Sequence, residues 1–248
     1  MPADPSAIAA AVDQVRLRIA SAAGRAGRRP EEIRLVAVTK IFGADAVAAA
    51  YEAGVRHFGE NRVQEWATKH PYVADLAGAV WHLIGHLQRN KARRALALFH
   101  RIDSLDTPGL AEKLDELAAE AGRPPRRVPV LIEVRLAPEQ TKSGVDPEGL
   151  EKLAEAVAQL PRLELRGLMA VPPFSEDPEP SRPYFRRLRE LRDHTAKRLG
   201  RPLPELSMGM SHDFEVAIEE GATEVRVGTA IFGRRPKLPV TQPEKNAS

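Results

Sequence analysis

The sequence predicts an α/β protein, a closed (β/α)8 TIM barrel with an extra N-terminal helix. Three observations lead there. Short β-branched runs alternate with Ala- and Leu-rich stretches along the 248-residue chain. Nearly every apolar run is followed by a helical one, and strictly alternating β and α units demand a parallel sheet. About eight such units, spaced by roughly 25 to 30 residues, match a closed barrel. An open doubly wound sheet is the alternative, but it usually carries a G-x-G-x-x-G turn after its first strand. Here that turn reads TKIFGA.

The elements follow in order. MPADPSAIAAAVDQVRLRIA reads as an amphipathic helix. IRLVAVTK (33–40) is the first strand, and ADAVAAAYEAG (44–54) a helix stopped by Gly54. RHFGEN (56–61) is a short strand, followed by the helix RVQEWATKH. WHLIG (81–85) is a strand and QRNKARRALALF (88–99) a helix. HRIDSLD (100–106) is a strand, and Thr107-Pro108 opens the next helix. VPVLIEVRL (128–136) is the most continuous apolar strand, and Asp146 is the N-cap candidate of the helix 146–160. LELRGLMAV (163–171) is a strand, and the helix 181–200 ends at Gly200. ELSMGMS (205–211) is a strand end, HDFEVAIEEG (212–221) a helix, and TEVRVGTAIFG (223–233) the last strand and turn. One domain is expected over 1–233, with 234–248 as a flexible tail. PPFSEDPEPSRP (172–183) is a Pro-rich acidic loop that suits a surface connection or a lid.

Composition narrows the function classes. At 43% hydrophobic and 29% charged residues, the chain has the make-up of a soluble globular protein. No apolar run approaches the roughly 18 residues of a membrane span. The N-terminus lacks the basic-then-apolar layout of a signal peptide. With no cysteine there is neither a disulfide framework nor thiol chemistry. A cytoplasmic protein is expected. The formal charge is +3, but acids interleave with the basic runs and aromatic platforms are scarce, so solvated helix faces are expected rather than nucleic-acid binding.

Active sites of such barrels lie at the C-terminal ends of the strands. The candidates there are Lys40, Glu60, Asn61, His82, His86, Lys142, Met169, Ser207 to Ser211, and Gly228-Thr229. Lys40 ends a buried strand. A lysine there either snorkels to solvent or sits in a partly dry mouth, where desolvation makes its amine a nucleophile for carbonyls. SMGMSHDF (207–214) runs through Gly209 into a helix, and RVGTA (226–230) follows the next strand. Loops after strands seven and eight recurrently build a phosphate cradle in this fold. Strand alternation puts Arg226 on the face of Gly228, pointing into the barrel. A buried arginine needs a partner, either a carboxylate such as Glu133 or Glu164, or a ligand acceptor. His82 and His86 stand in a strand and turn, so they form no helical metal pair and suit a polar network. A carbonyl-binding lysine, a phosphate cradle and a buried arginine together point to pyridoxal 5′-phosphate.

The stretches LVAVTK, HFGENRVQE, WHLIGHLQRNKAR, IDSLD, EQTKSGV, LRGLMAV and LSMGMSHDFEVAIEEGATEVRVGTAIFG, from about residue 33 to 233, closely resemble the YggS/PROSC family of pyridoxal phosphate homeostasis proteins. That family is similar in fold to the alanine racemase N-terminal barrel domain, the type III fold of pyridoxal phosphate proteins. The resemblance implies that Lys40 holds the cofactor as an aldimine, a Schiff base. It implies that the loops at Ser207, Met210 and Ser211 and at Gly228 and Thr229 hold the phosphate, and that Arg226 faces the ring nitrogen. Asn61, His82 and Met169 complete the expected cofactor-binding set, with no catalytic residue and no metal site. Arg135 stands near where many relatives carry an asparagine. The implied role is cofactor homeostasis and supply, with apo-enzymes that depend on pyridoxal phosphate as candidate acceptors, no nucleic-acid or membrane partner, and a monomeric state.

Two enzyme readings compete with this. A barrel aldolase would use Lys40 on a sugar phosphate, but no paired catalytic carboxylates are identifiable. A racemase needs a second base opposite Lys40. In the similar racemases that base is a tyrosine supplied from a second domain and subunit. The tyrosines here, Tyr51, Tyr72 and Tyr184, fall in helical segments or loops.

Overall fold

The computed structural model describes residues 4–120, 127–137 and 143–233. Its sheet is a closed barrel of strands in chain order. They are β1 (Arg34–Val38), β2 (His57–Glu60), β3 (Val80–Leu83), β4 (Arg101–Leu105), β5 (Val128–Glu133), β6 (Leu163–Met169), β7 (Glu205–Ser207) and β8 (Glu224–Val227). All pairings are parallel, and β8 closes on β1 with Arg226 opposite Val36. A helix follows each strand: α2 (Ala44–Glu52), α3 (Val63–Lys69), α4 (Ala92–Leu98), α5 (Pro108–Glu120), α6 (Pro147–Ala158), α7 (Arg182–Leu199), α8 (Phe214–Glu219) and α9 (Thr229–Phe232). The expected tail at 234–248 lies outside the described residues.

Several elements stop short of the apolar runs that announced them. β5 ends at Glu133, and Val134, whose amide still donates to Met169 O at 2.8 Å, forms an isolated bridge with Val145. β7 ends at Ser207, and Gly209 then takes φ +91°. A Cβ at Gly209 would lie 2.6 Å from Ala217 Cβ and 2.8 Å from Phe214 Cα, so the turn requires glycine. The helix expected from Gln88 begins as a 3-10 turn, Arg89–Lys91. Asp146 occupies the N-cap position of α6, but its carboxylate goes to Arg135 instead of the helix amides.

The outer faces of the strands pack against the helices. Trp66 of α3 meets Trp81 of β3 at 4.6 Å between ring centroids, and Phe58 meets Trp81 at 5.0 Å. The interior is unusual. Barrels of this type are filled mainly by layers of Val, Ile and Leu. Here His82, Asp103 and Glu224 bring ligand-type atoms within 4.8 Å of one another. They come from β3, β4 and β8, which are not all neighbours, so they meet across the barrel. Arg101 Nε donates to Asp103 at 2.7 Å, and its Nη2 lies 2.7 Å from Glu205. Arg34 reaches Glu224 at 3.1 Å. Buried charges persist only when paired, and these pair with one another. Burial pushes Asp103 up, but Arg101 and His82 outweigh it and hold the carboxyl below its usual range.

The N-terminal helix α1 (Pro5–Arg25) lies outside this ring. Asp4 caps it, accepting from the amide of Ser6 at 3.0 Å. Its apolar stripe, Ile8, Val12, Val15 and Ile19, is buried at helical spacing. Arginines on its flanks tie it to both ends of the barrel's circuit. Arg16 donates to the Ala53 carbonyl after α2, Arg18 forks onto Glu215 of α8, and Arg25 bonds Glu219.

Candidate functional site

At the C-terminal ends of the strands a cavity of about 350 Å³ opens to solvent. Its wall brings together Lys40, Asn61, Met210, Ser211, Arg226, Gly228 and Thr229. These are seven of the ten residues expected to bind the cofactor, delivered by β8 itself and by the loops after β1, β2, β7 and β8.

Lys40 sits in a tight turn directly after β1. Thr39 still belongs to the sheet, its amide donating to Gly59 O at 3.0 Å, and Phe42 N–H closes the turn on Thr39 O at 3.1 Å. Ile41 takes φ 67°, a left-handed conformation that is costly for a β-branched residue. The turn is held from outside the barrel. Glu65 of α3 accepts the Ile41 amide at 2.5 Å. Lys69 donates to Thr39 O at 2.9 Å and to Glu60 at 2.5 Å, while the Thr39 hydroxyl donates to Glu60 at 2.7 Å. Burial pushes the Glu60 carboxyl above its ordinary range, and Lys69 draws it back. Glu60, nominated as a strand-end candidate, thus faces α3 and supports the Lys40 turn from behind.

The opposite wall is made by the loops after β7 and β8. Ser211 joins them, its hydroxyl accepting the amides of Gly228 and Ala230, both at 3.2 Å. The Met210 amide is directed at Asp213 Oδ1 at 2.6 Å and away from the cavity. Gly228 abuts β1, and a Cβ there would sit 3.3 Å from Val38 O. This contact, more than backbone conformation, accounts for the glycine.

Arg226 is buried, and neither Glu133 nor Glu164 is its direct partner. Its Nη1 donates to Ser207 Oγ at 2.7 Å and its Nη2 to Ala170 O at 2.8 Å. Glu164 is instead bonded to Arg166 at 2.9 Å. Burial lowers the pKa of Arg226, opposed by Glu224 and Asp103. A guanidinium in this position donates hydrogen bonds and gives up no proton.

Three nominated residues stand off the cavity wall. Ser207 is fully buried behind it, where it orients Arg226. Met169 is buried at the end of β6. His82 lies deeper, with Nδ1 at 2.8 Å from Asp103 and Nε2 at 2.9 Å from His57 Nδ1. That is the polar network expected for it, and it lies below the mouth. Burial, followed by the charge of His82, pushes His57 down to about 3. Lys142 lies outside the described residues. Sequence reasoning missed an apolar rim of Ile41, Phe42, Ile84, Val171 and Phe174, together with His212. Phe174 belongs to the Pro-rich loop, and its ring packs on His212 at 4.7 Å. The one sequence signal for this rim was the loop's place after a barrel strand.

An amine, a guanidinium and hydroxyl-bearing turns around one partly apolar cavity suit a small ligand with an electrophilic carbon and an anionic end. Comparisons with known proteins agree. The family model for the alanine racemase N-terminal domain matches residues 11–236. The pyridoxal phosphate homeostasis protein of Aquifex aeolicus is 46% identical over 224 residues, covering 90% of this chain and 96% of the relative. The structure of PipY from Synechococcus elongatus, solved with PLP bound, superposes with a TM-score of 0.80 at 38% identity, covering 91% of this chain and all of PipY (100%). Alanine racemase from Corynebacterium glutamicum shares the fold with a TM-score of 0.66 at 18% identity, covering 94% of this chain and 61% of the racemase.

Proposed function

Because the chain belongs to the pyridoxal phosphate homeostasis proteins of the alanine racemase N-terminal domain family, we propose that it binds pyridoxal 5′-phosphate at the barrel mouth and acts in the homeostasis of that cofactor. The observation that carries this reading is that Lys40, Arg226, Ser211 and Thr229 line one and the same cavity. An amine, a ring-nitrogen donor and a phosphate cradle are the three groups the cofactor needs, so the residues fit it.

Bound pyridoxal phosphate supplies a reactive aldehyde on an electron-withdrawing ring. The chain's own residues bind and orient. Lys40 is the covalent anchor, its amine presented from a turn braced by Glu65 and Lys69. Ser211 and Thr229 hold the phosphate end, with the Ser211 hydroxyl positioned by the amides of Gly228 and Ala230. Arg226, fixed by Ser207 and Ala170, offers a donor to the ring nitrogen without protonating it. Asn61 lies on the wall between Lys40 and the neighbouring space.

We read the protein as a carrier that supplies the cofactor to apo-enzymes, works as a monomer and resides in the cytoplasm. Among the described residues no helix is long and apolar enough to cross a membrane. The placement of the tyrosines favours a carrier over a racemase. Tyr51 hydroxyl donates to Ala77 O at 2.9 Å, Tyr72 is 80% exposed in a 3-10 turn, and Tyr184 lies on α7, all away from the cavity wall. The test is an absorbance spectrum of protein mixed with the cofactor, followed by borohydride reduction and peptide mapping. A yellow species fixed onto the Lys40 peptide supports the reading. No colour, or label on another lysine, overturns it.

A further inference from the structure

We propose that a second cavity beside the mouth is a subsite for a primary ammonium group, received by Glu133. The proposal rests on the reading of the mouth as a cofactor site, since it names the class of molecule that meets the cofactor there.

The second cavity has a volume of about 540 Å³ and shares Asn61, Ile84 and Val171 with the first, so the two adjoin. Glu133, the last residue of β5, lies on its wall and is only 8% exposed. Ser143 donates to its Oε2 at 3.0 Å. Among the described residues Glu133 forms no ion pair, although three basic side chains surround it. Arg135, two residues on, is committed to Asp146 at 2.7 and 2.8 Å. Arg226 of β8 is committed to Ser207 and Ala170. His86, after β3, is committed to Asp106, after β4, at 3.0 Å.

A buried carboxylate that has, among the described residues, one hydroxyl donor and no cation is costly unless something supplies the positive charge. Burial pushes its pKa up. Ser143 draws it back, Asp106 adds to the rise, and Arg226 and His86 draw it back further. The charge is poorly matched to a metal ion. Among the described residues the one convergent set of metal-type ligands is His82, Asp103 and Glu224, elsewhere in the barrel. An ammonium needs only one carboxylate and a few acceptors. The remaining wall includes Ile84, Val134, Leu136 and Val171, apolar surface for a short carbon chain. An ammonium head on a short chain describes both a free amino acid and the side chain of a lysine. Primary amines are also the nucleophiles that react with aldehydes.

Linkage gives the pH signature. An ammonium binds the ionised carboxylate, so affinity rises as pH rises through the titration of Glu133, and binding below that point releases a proton. The test is calorimetry on cofactor-free protein, with n-butylamine as the lysine side chain, L-alanine as a free amino acid, and buffers of different ionisation heat. n-Butylamine is expected to bind with proton release. Glu133→Gln should weaken it by about tenfold or more, the loss of one charge-assisted contact. Tighter binding of alanine assigns the subsite to free amino acids, and tighter binding of n-butylamine assigns it to protein lysines. Absence of amine binding, or equal binding by Glu133→Gln, overturns the proposal. These outcomes are read without cofactor, so they are distinct from a failure of Lys40 to take up pyridoxal phosphate.

Discussion

The ammonium of Lys69 lies 2.9 Å from the main-chain carbonyl of Thr39, the residue before Lys40. One lysine therefore sets the backbone from which the other projects. Lys69→Met would strand Glu60 without its cation, and breaking a buried pair costs about 3–5 kcal/mol. Urea unfolding should show that loss. The double variant Lys69→Met with Glu60→Gln should recover part of it, while covalent uptake of the cofactor stays slow because the turn is unbraced. Uptake at the wild-type rate in the double variant would show that the brace serves stability alone.

Lys40→Ala removes a rim amine from a partly exposed turn and takes nothing from the apolar core. The expected outcome is a folded protein, within about 0.5 kcal/mol of wild type, that no longer turns yellow with pyridoxal phosphate. Unfolding midpoint and visible absorbance, measured together, check it.

Ser211→Ala tests the phosphate cradle. Affinity for pyridoxal phosphate should fall by about tenfold, the scale of one hydrogen bond to a charged group, while affinity for pyridoxal changes little. An equal loss for both ligands would mean that Ser211 only fastens the Gly228 and Ala230 amides.

His57 provides a pH prediction. Its folded-state pKa is depressed from 6.5 to about 3 by burial and by His82. Between those values the unfolded chain binds the extra proton and the native state does not, so stability is full above 6.5 and is lost as pH falls through the window. Thermal melts from neutral to acid pH should show the decline, and His57→Gln should flatten it.

Incubation with each enantiomer of alanine or serine in deuterated water should give α-proton exchange far below ordinary turnover, which is about 1 to 10³ per second. Exchange at enzyme-like rates would restore the racemase.

The barrel was legible because alternation of apolar runs and helices survives in the sequence whatever the partners are. Lys40, Ser211 and Arg226 were legible for the same reason, since strand ends and strand parity locate them without contacts. The partner of Arg226 was not. Glu133 and Glu164 seemed the natural counter-charges, yet only the register of β7 and β6 beside β8 brings Ser207 and Ala170 to the guanidinium. The brace on Lys40 was hidden too, because Glu60 faces outward to α3 and looks like any strand-end acid. The charged interior escaped for a third reason. Arg34, Arg101, Glu205 and Glu224 each begin a strand, where a charge normally reads as a solvated end. Their pairing exists only once the ring has closed.

The strap formed by α1 has a consequence for the order of assembly. This helix leaves the ribosome before any strand of the barrel, yet Arg18 and Arg25 find their carboxylates on α8, which follows β7. Until α8 emerges, the stripe of Ile8, Val12, Val15 and Ile19 has only part of its docking surface. A helix made before β1 is thus the latch on the seam where β8 closes on β1. A nascent chain halted before α8 would hold both an open ring and an unlatched apolar helix.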